Sequence, residues 1–348
     1  MDKPPPPFQK TRSGLAPENF QRRLAGRQTG LFVLQNNRGE EVCLTNYGAR
    51  IVSWLVPGRD GSVADIVLGF DTLDAYLASP EPYFGAAIGR FANRIACGRF
   101  ALDGIEHRLA LNDGPNTLHG GPGGFHSRVW DVLRHDARSV EFALLSPHGD
   151  QGFPGNLRVR LQCELADDGA LSLVTTAETD RLTVVNFTNH SFFNLNGAGS
   201  GDIDGHILAI RAGHYTPVDD HLIPTGEIAP VAGTPFDFRD PAPIAGRLGR
   251  NLILDGQVAA DGLRHAARVI APESGRILDV LTNQPGLQLY CGQLLDGAIK
   301  GKGGLTYGRR SALCLEPQHF PDSPNHPSFP STQLRPSTLF RHICVYRS

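Results

Sequence analysis

Glu316 lies in Cys314-Leu315-Glu316-Pro317-Gln318-His319-Phe320-Pro321, where an apolar strand pattern runs into a proline-locked loop. A carboxylate at the end of an apolar strand is costly unless it has a partner or a task. Prolines at 317, 321, 324, 327 and 330 restrict φ and confine the segment that follows. His190 belongs to a second such stretch, Val184 to Leu195. Alternation there puts Asn186, Thr188 and His190 on one face and Val185, Phe187 and Phe193 on the other. A carboxylate and an imidazole can exchange protons with a substrate near neutral pH.

Three more clusters carry polar groups where the pattern predicts strand ends. Gly89-Arg90-Phe91-Ala92-Asn93-Arg94-Ile95 follows the apolar Ala86-Ala87-Ile88. Asn116-Thr117-Leu118-His119 leads into Gly120-Gly121-Pro122-Gly123-Gly124, glycines that permit close backbone approach to a ligand. Thr234-Pro235-Phe236-Asp237-Phe238-Arg239 sets a carboxylate between two phenylalanines. Gln288 alternates against Leu287 and Leu289. Taken singly, each has a plainer reading: a solvated turn, a flexible loop, a local Asp237–Arg239 pair, a satisfied core histidine. Together they form a set of Asn, Arg, His, Asp, Gln and Glu suited to a polyhydroxylated neutral ligand. Zinc-type spacings, a nucleophile elbow, a P-loop and a dinucleotide fingerprint are all absent.

The elements that must position these groups are strands. Apolar residues alternate at Val140, Phe142 and Leu144, and again from Leu157 to Leu165. Asp103-Gly104 between apolar runs is a hairpin signal. Strands are also expected at 31–34, 41–47, 49–56, 171–175, 206–211, 287–294, 313–316 and 339–346, with one long β-rich run from Arg181 to Leu195. A short helix is expected near 71–77, capped by Asp71. Sustained helical periodicity is missing. With 40 glycines and 26 prolines among 348 residues, the chain is turn-rich as a β protein requires. The expectation is an all-β fold, a large antiparallel β-sandwich or barrel in one domain over residues 26–348. A flexible Pro/Arg-rich arm is expected over 1–25.

Net charge is −2, which argues against nucleic acid and anionic membrane as partners. No apolar run is long enough for a membrane helix, and the N-terminus lacks a secretory h-region. The six cysteines lack metal-like spacing and read as small buried hydrophobes in a reducing, cytoplasmic setting.

With these stretches in hand, the sequence resembles the aldose 1-epimerase (galactose mutarotase) family. The likeness runs in one order from about residue 30 to the C-terminus. It rests on 89–95, 116–121, 189–195, 220–227, 236–239 and 314–330. It departs where the family often has Thr after the glutamate, here Pro317. It departs again where the family often has Tyr-Thr-Gly-Asn-Phe, here Tyr290-Cys291-Gly292-Gln293-Leu294. The resemblance implies a mutarotase-like supersandwich, no cofactor, and a free aldose as substrate for a monomer or homodimer. Carried over, Glu316 would be the general base and His190 the general acid. Asn93, Arg94, His119, Asp237 and Gln288 would bind sugar hydroxyls. Other readings of the same residues are a hexose-6-phosphate epimerase, a glycoside hydrolase using Asp237 with Glu316, and a non-catalytic carbohydrate-binding domain.

Overall fold

The computed structural model describes residues 11–247, 249–256 and 258–348. Antiparallel strands dominate, in three principal sheets. The N-terminal sheet has four, at Leu31–Gln35, Glu41–Thr45, Arg50–Pro57 and Val63–Asp65. The largest has nine, in the order Asp131–His135, Ser139–Ser146, Leu157–Leu165, Ala170–Thr179, Phe340–Arg347, Ile277–Thr282, Arg264–Ile270, Ile207–Ile210 and Ala242–Pro243. The third has five, in the order Ala229–Pro230, Ala212–Tyr215, Asn251–Leu254, Gly286–Tyr290 and Cys314–Gln318. One apolar cluster joins all three, drawing on Val42, Trp54, Phe142, Leu161, Val280, Leu287, Leu315 and Tyr346.

Local patterns explain these elements. Leu157, Val159, Leu161, Cys163 and Leu165 are buried, while the residues between them are more exposed. That is period-2 alternation on a half-buried sheet. Asp103 and Gly104 both take positive φ, 47° and 79°, and join Arg99–Leu102 to Ile105–Arg108 in a tight hairpin.

Three expectations need correction. The helix is Leu73–Ala78 and its cap is Thr72, whose hydroxyl accepts from the Ala75 N–H at 3.1 Å. The Asp71 carboxylate instead accepts from the Gly303 N–H at 2.6 Å. The run 181–195 is not one long strand. Thr183–Val184 pairs with Gln333–Leu334, Thr188–Asn189 with Ala87–Ile88, and Phe193 bridges Val67 and Leu313. The segment passes between layers and borrows a new partner every few residues. Residues 11–25 of the expected arm are packed: Leu15 and Phe20 are buried, and the Arg12 and Ser13 N–H groups donate to the Glu41 carboxylate. Residues 1–10 lie outside the described part. Among the described residues no helix is long and apolar enough to cross a membrane.

Candidate active site

The strand Cys314–Gln318 forms one edge of the five-stranded sheet, so the missing N–H of Pro317 breaks no ladder on its open side. Its register sets Glu316 opposite Gln288, and Gln288 opposite Asn251 on the next strand. Directly opposed residues on adjacent antiparallel strands share a face, ~5 Å apart. Three polar side chains therefore form a row across the sheet, facing away from the core. Leu315 and Leu287 point inward.

The backbone around Glu316 is tied from behind. The Tyr346 hydroxyl donates to the Leu315 carbonyl at 2.8 Å, and His342 Nε2 donates to the Pro317 carbonyl at 2.9 Å. Farther along, Asn186 clamps one residue from both sides. Its Oδ1 accepts from the His319 N–H at 2.9 Å and its Nδ2 donates to the His319 carbonyl at 3.2 Å. Asn186 thus braces the loop after Glu316 instead of lining a ligand site.

Above the row is a cavity of about 190 Å³, small beside drug-sized pockets. Glu316, His190, His119, Asn93, Arg94 and Gln288 all line it. Glu316 is 1% exposed, its Oε2 accepts no hydrogen bond among the described residues, and His190 Nε2 stands 3.8 Å from its Oε1. Burial, with Glu81 nearby, raises the Glu316 carboxyl well above its usual range. Burial lowers His190 to about 4. The ring of Tyr83 stacks on His190 at 5.7 Å and meets His119 edge-on at 4.6 Å.

Asn93 and His119 both have left-handed backbones, φ 64° and 52°. Such strain persists where surrounding bonds over-determine it. Here each residue holds the other. The His119 N–H donates to the Asn93 carbonyl at 3.0 Å, and the Asn93 N–H donates to His119 Nδ1 at 3.1 Å. With Nδ1 occupied as acceptor and burial keeping the ring neutral, the proton sits on Nε2. The Asn93 amide donates to Gln288 Oε1 at 3.2 Å. Arg94 is held by Asp113 at 2.7 Å.

His119, His190 and Glu316 each offer a donor atom within 4.8 Å of the others, close enough to raise a metal site. The bonding favours proton chemistry. His119 presents an N–H, and a metal needs a bare nitrogen.

Asp237 does not line this cavity. Its carboxylate is held by Arg239 through two bonds of 2.9 and 2.8 Å, and that pairing lowers its pKa. The plainer reading of the motif holds. The glycine loop is also reassigned. A Cβ on Gly120 would lie 2.2 Å from the Gly89 carbonyl oxygen, and one on Gly124 would lie 2.6 Å from that of His119. These glycines permit backbone packing that positions His119, not ligand contact. Arg90 is structural too, donating to the Pro154 and Ser146 carbonyls.

Sequence reasoning missed Glu81, Tyr83, Thr216 and Asn251, all lining the cavity. Glu81 sits between Pro80 and Pro82, the same locked-carboxylate signal as Glu316-Pro317. Asn251 is recognised only through its register with Gln288.

A cleft with one buried carboxylate facing one imidazole, ringed by fixed amide and guanidinium donors, can move protons on a polyol. The family model for aldose 1-epimerase matches residues 30–347. The chain belongs to the aldose 1-epimerase family. A galactose mutarotase from Bos taurus is 45% identical over 324 residues, covering 91% of this chain and 93% of its own. An aldose 1-epimerase from Escherichia coli is 39% identical over 334 residues, with coverages of 92% and 96%. Among solved structures, an aldose epimerase homologue from C. elegans superposes with a TM-score of 0.86 at 32% identity, covering 92% of this chain and 98% of its own. The all-β sandwich of this aldose 1-epimerase family member is therefore the fold of its relatives, and the chain is an isomerase.

Proposed function

We infer that this isomerase interconverts the α and β anomers of free aldoses such as galactose and glucose, with Glu316 as general base and His190 as general acid. The observation that carries the roles is the buried Glu316 carboxylate, otherwise unpartnered among the described residues, 3.8 Å from His190 Nε2. Ring opening removes the proton of the C1 hydroxyl and delivers one to the ring oxygen. The free aldehyde turns about C1–C2, and reclosure on the other face returns both protons. The pair needs one proton between its members, which the opposed shifts supply: Glu316 is pushed up, His190 down. In the sugar-free cleft that proton rests on Glu316. A hydroxyl donated to the carboxylate favours its ionised form, and a ring oxygen accepting from Nε2 favours the imidazolium. Binding the sugar thereby moves the proton to His190. The Nε2–H of His119, the Arg94 guanidinium and the Asn93–Gln288 pair hold the hydroxyls.

Several observations weigh against the other readings. Asp237 does not line the cleft, which weighs against it as the second carboxylate of a glycosidase. Arg94 is already paired with Asp113. Arg250 lines the cavity, but its guanidinium lies over Phe236, which does not. Of the two cations lining the cavity, only Arg250 lacks a carboxylate partner among the described residues, a thin complement for a phosphate. A net charge of −2 speaks against nucleic acid as partner. Six unpaired cysteines suit a reducing compartment and support a cytoplasmic enzyme. The test is polarimetry on freshly dissolved α-D-galactose, α-D-glucose and glucose 6-phosphate. Acceleration of the two free hexoses is expected, and absence of acceleration on any sugar would leave a binding domain instead.

A further inference from the structure

The loop that leaves Glu316 ends against a strand of another sheet. The strand Arg94–Ile95 supplies Arg94 to the cleft wall and pairs along one edge with Thr117–Leu118. Asp322 stands along its other edge. The Asp322 N–H donates to the Arg94 carbonyl at 2.9 Å, and its Oδ1 accepts from the Ala96 N–H at 3.0 Å. In a strand the carbonyl of one residue and the N–H two places on lie along the same edge, where a neighbouring strand would meet them. A single residue here supplies both the donor and the acceptor of that missing neighbour.

Asp322 is itself held fast. It is 2% exposed, and its backbone is left-handed, φ 55°. The Asn325 amide donates to its Oδ1 at 2.6 Å and to the Arg99 carbonyl at 3.0 Å. His326 Nε2 lies 3.3 Å from its Oδ2. Between Glu316 and Asp322 lie Pro317, Pro321 and the His319 that Asn186 grips from both sides.

We propose that Asp322 is the positioning residue for Arg94: it takes the place of a strand partner and locks the strand that holds the sugar to the loop that leaves the base. Glu316 and Arg94 belong to different sheets, so strand register does not set their separation. The segment 316–322 can set it, because its prolines restrict the backbone at both ends. Asp113 steadies the Arg94 guanidinium at 2.7 Å, and Asp322 steadies the backbone behind it. A sugar hydroxyl at Arg94 and the anomeric hydroxyl at Glu316 are then met at one fixed spacing, as alignment of reacting groups requires. The inference rests on Arg94 holding a sugar hydroxyl, and its test separates the two.

The test joins steady-state kinetics on galactose with ¹H–¹⁵N NMR of the arginine side chains in the sugar-free enzyme, Arg94→Ala serving to assign the Arg94 Nε–H. Asp322→Ala is expected to shift or broaden that signal and to raise KM about tenfold, with kcat lowered less. Asp322→Asn keeps an acceptor for the Ala96 N–H and is expected to restore both readouts. In an Arg94→Ala background, which itself raises KM, Asp322→Ala is expected to add little, because the two residues act as one unit. Asn325→Ala, at an exposed position, loosens the same grip. It is expected to disturb the signal and raise KM by a smaller factor, and it carries the test if Asp322→Ala does not fold. Cys163→Ala, a buried change in the nine-stranded sheet, measures the effect of lost packing alone. An Arg94 signal in Asp322→Ala that matches wild type overturns the proposal. So do KM losses that multiply in the double variant, a Cys163→Ala variant that moves KM as far, or an Asn325→Ala variant unchanged in both readouts. A disturbed Arg94 signal in Asp322→Ala together with an unchanged KM in Arg94→Ala would instead remove Arg94 from the functional reading and leave the positioning intact.

Discussion

Glu316 and Asp237 look alike in sequence, each an acid set among apolar residues, and the structure treats them oppositely. Glu316 is buried, faces an imidazole and has one oxygen without a hydrogen bond among the described residues. Asp237 is half-buried and fully engaged by Arg239 two residues away. Burial without compensation pushes the Glu316 pKa up, and pairing pulls the Asp237 pKa down. An acid becomes reactive when its neighbours withhold what would stabilise it, and it stays inert when a local partner supplies it.

The largest test of that contrast is a pair of isosteric changes. Glu316→Gln is expected to lower kcat by about 10²–10⁴ with the fold intact, read by polarimetry and circular dichroism. The matching change, Asp237→Asn, is expected to leave kcat/KM within about twofold, as for a surface substitution. A tenfold loss there would break the comparison and return Asp237 to the site.

A second test concerns the cost of withheld compensation across the molecule. Seven histidines, at 107, 119, 126, 190, 206, 319 and 342, have pKa values lowered chiefly by burial, to about 3 for His126 and about 4 for 190, 206, 319 and 342. Unfolded, each titrates near ~6.5. Below that pH the unfolded chain binds more protons, so stability falls as pH drops from about 6.5 towards 4. Glu316, Glu81 and Asp322, raised by burial, work in the opposite direction but are fewer. Urea unfolding midpoints measured across this window should decline steadily, and a flat profile would contradict the neutral buried rings.

The brace behind Glu316 is the next point of attack. His342→Leu removes the donor to the Pro317 carbonyl, leaving a buried acceptor unpaired at a cost of roughly 1–3 kcal/mol. Chemical denaturation should register that loss, together with a lower kcat than in a variant equally destabilised elsewhere. If kcat is untouched, the tethers hold the fold and not the base.

The smallest effect is electrostatic. Burial raises Glu81 to about 7, and its charge adds to the rise at Glu316. Glu81→Gln removes a negative neighbour, so Glu316 should release its proton at lower pH. The alkaline limb of kcat/KM should shift downward, and a limb that stays fixed would uncouple the two carboxylates.

Some of this was legible before any coordinates. The hairpin at Asp103-Gly104 could be read because both φ values must be positive there. The strand Leu157–Leu165 could be read because burial on one face imposes a period of two. The expected helix cap missed by one residue, since Asp71 and Thr72 are both competent caps and only a contact from Gly303 claims the aspartate. The run 181–195 misled because β-propensity is satisfied equally by one long strand and by several short bridges to different partners. The glycine loop misled because close approach to backbone and close approach to a ligand call for the same residue.

By itself, the sequence determined the period-2 architecture, the family and the presence of a locked carboxylate at residue 316, because these depend on local alternation, φ restriction and residue type. Only the tertiary structure decided which polar groups meet. The row Asn251–Gln288–Glu316 is a matter of strand register. The bond between the Asn93 N–H and His119 Nδ1 joins residues 26 positions apart. The bond from the Ala96 N–H to the Asp322 carboxylate spans 226. Hydrogen bonds and charges act over a few ångströms of space, and sequence distance carries no record of them.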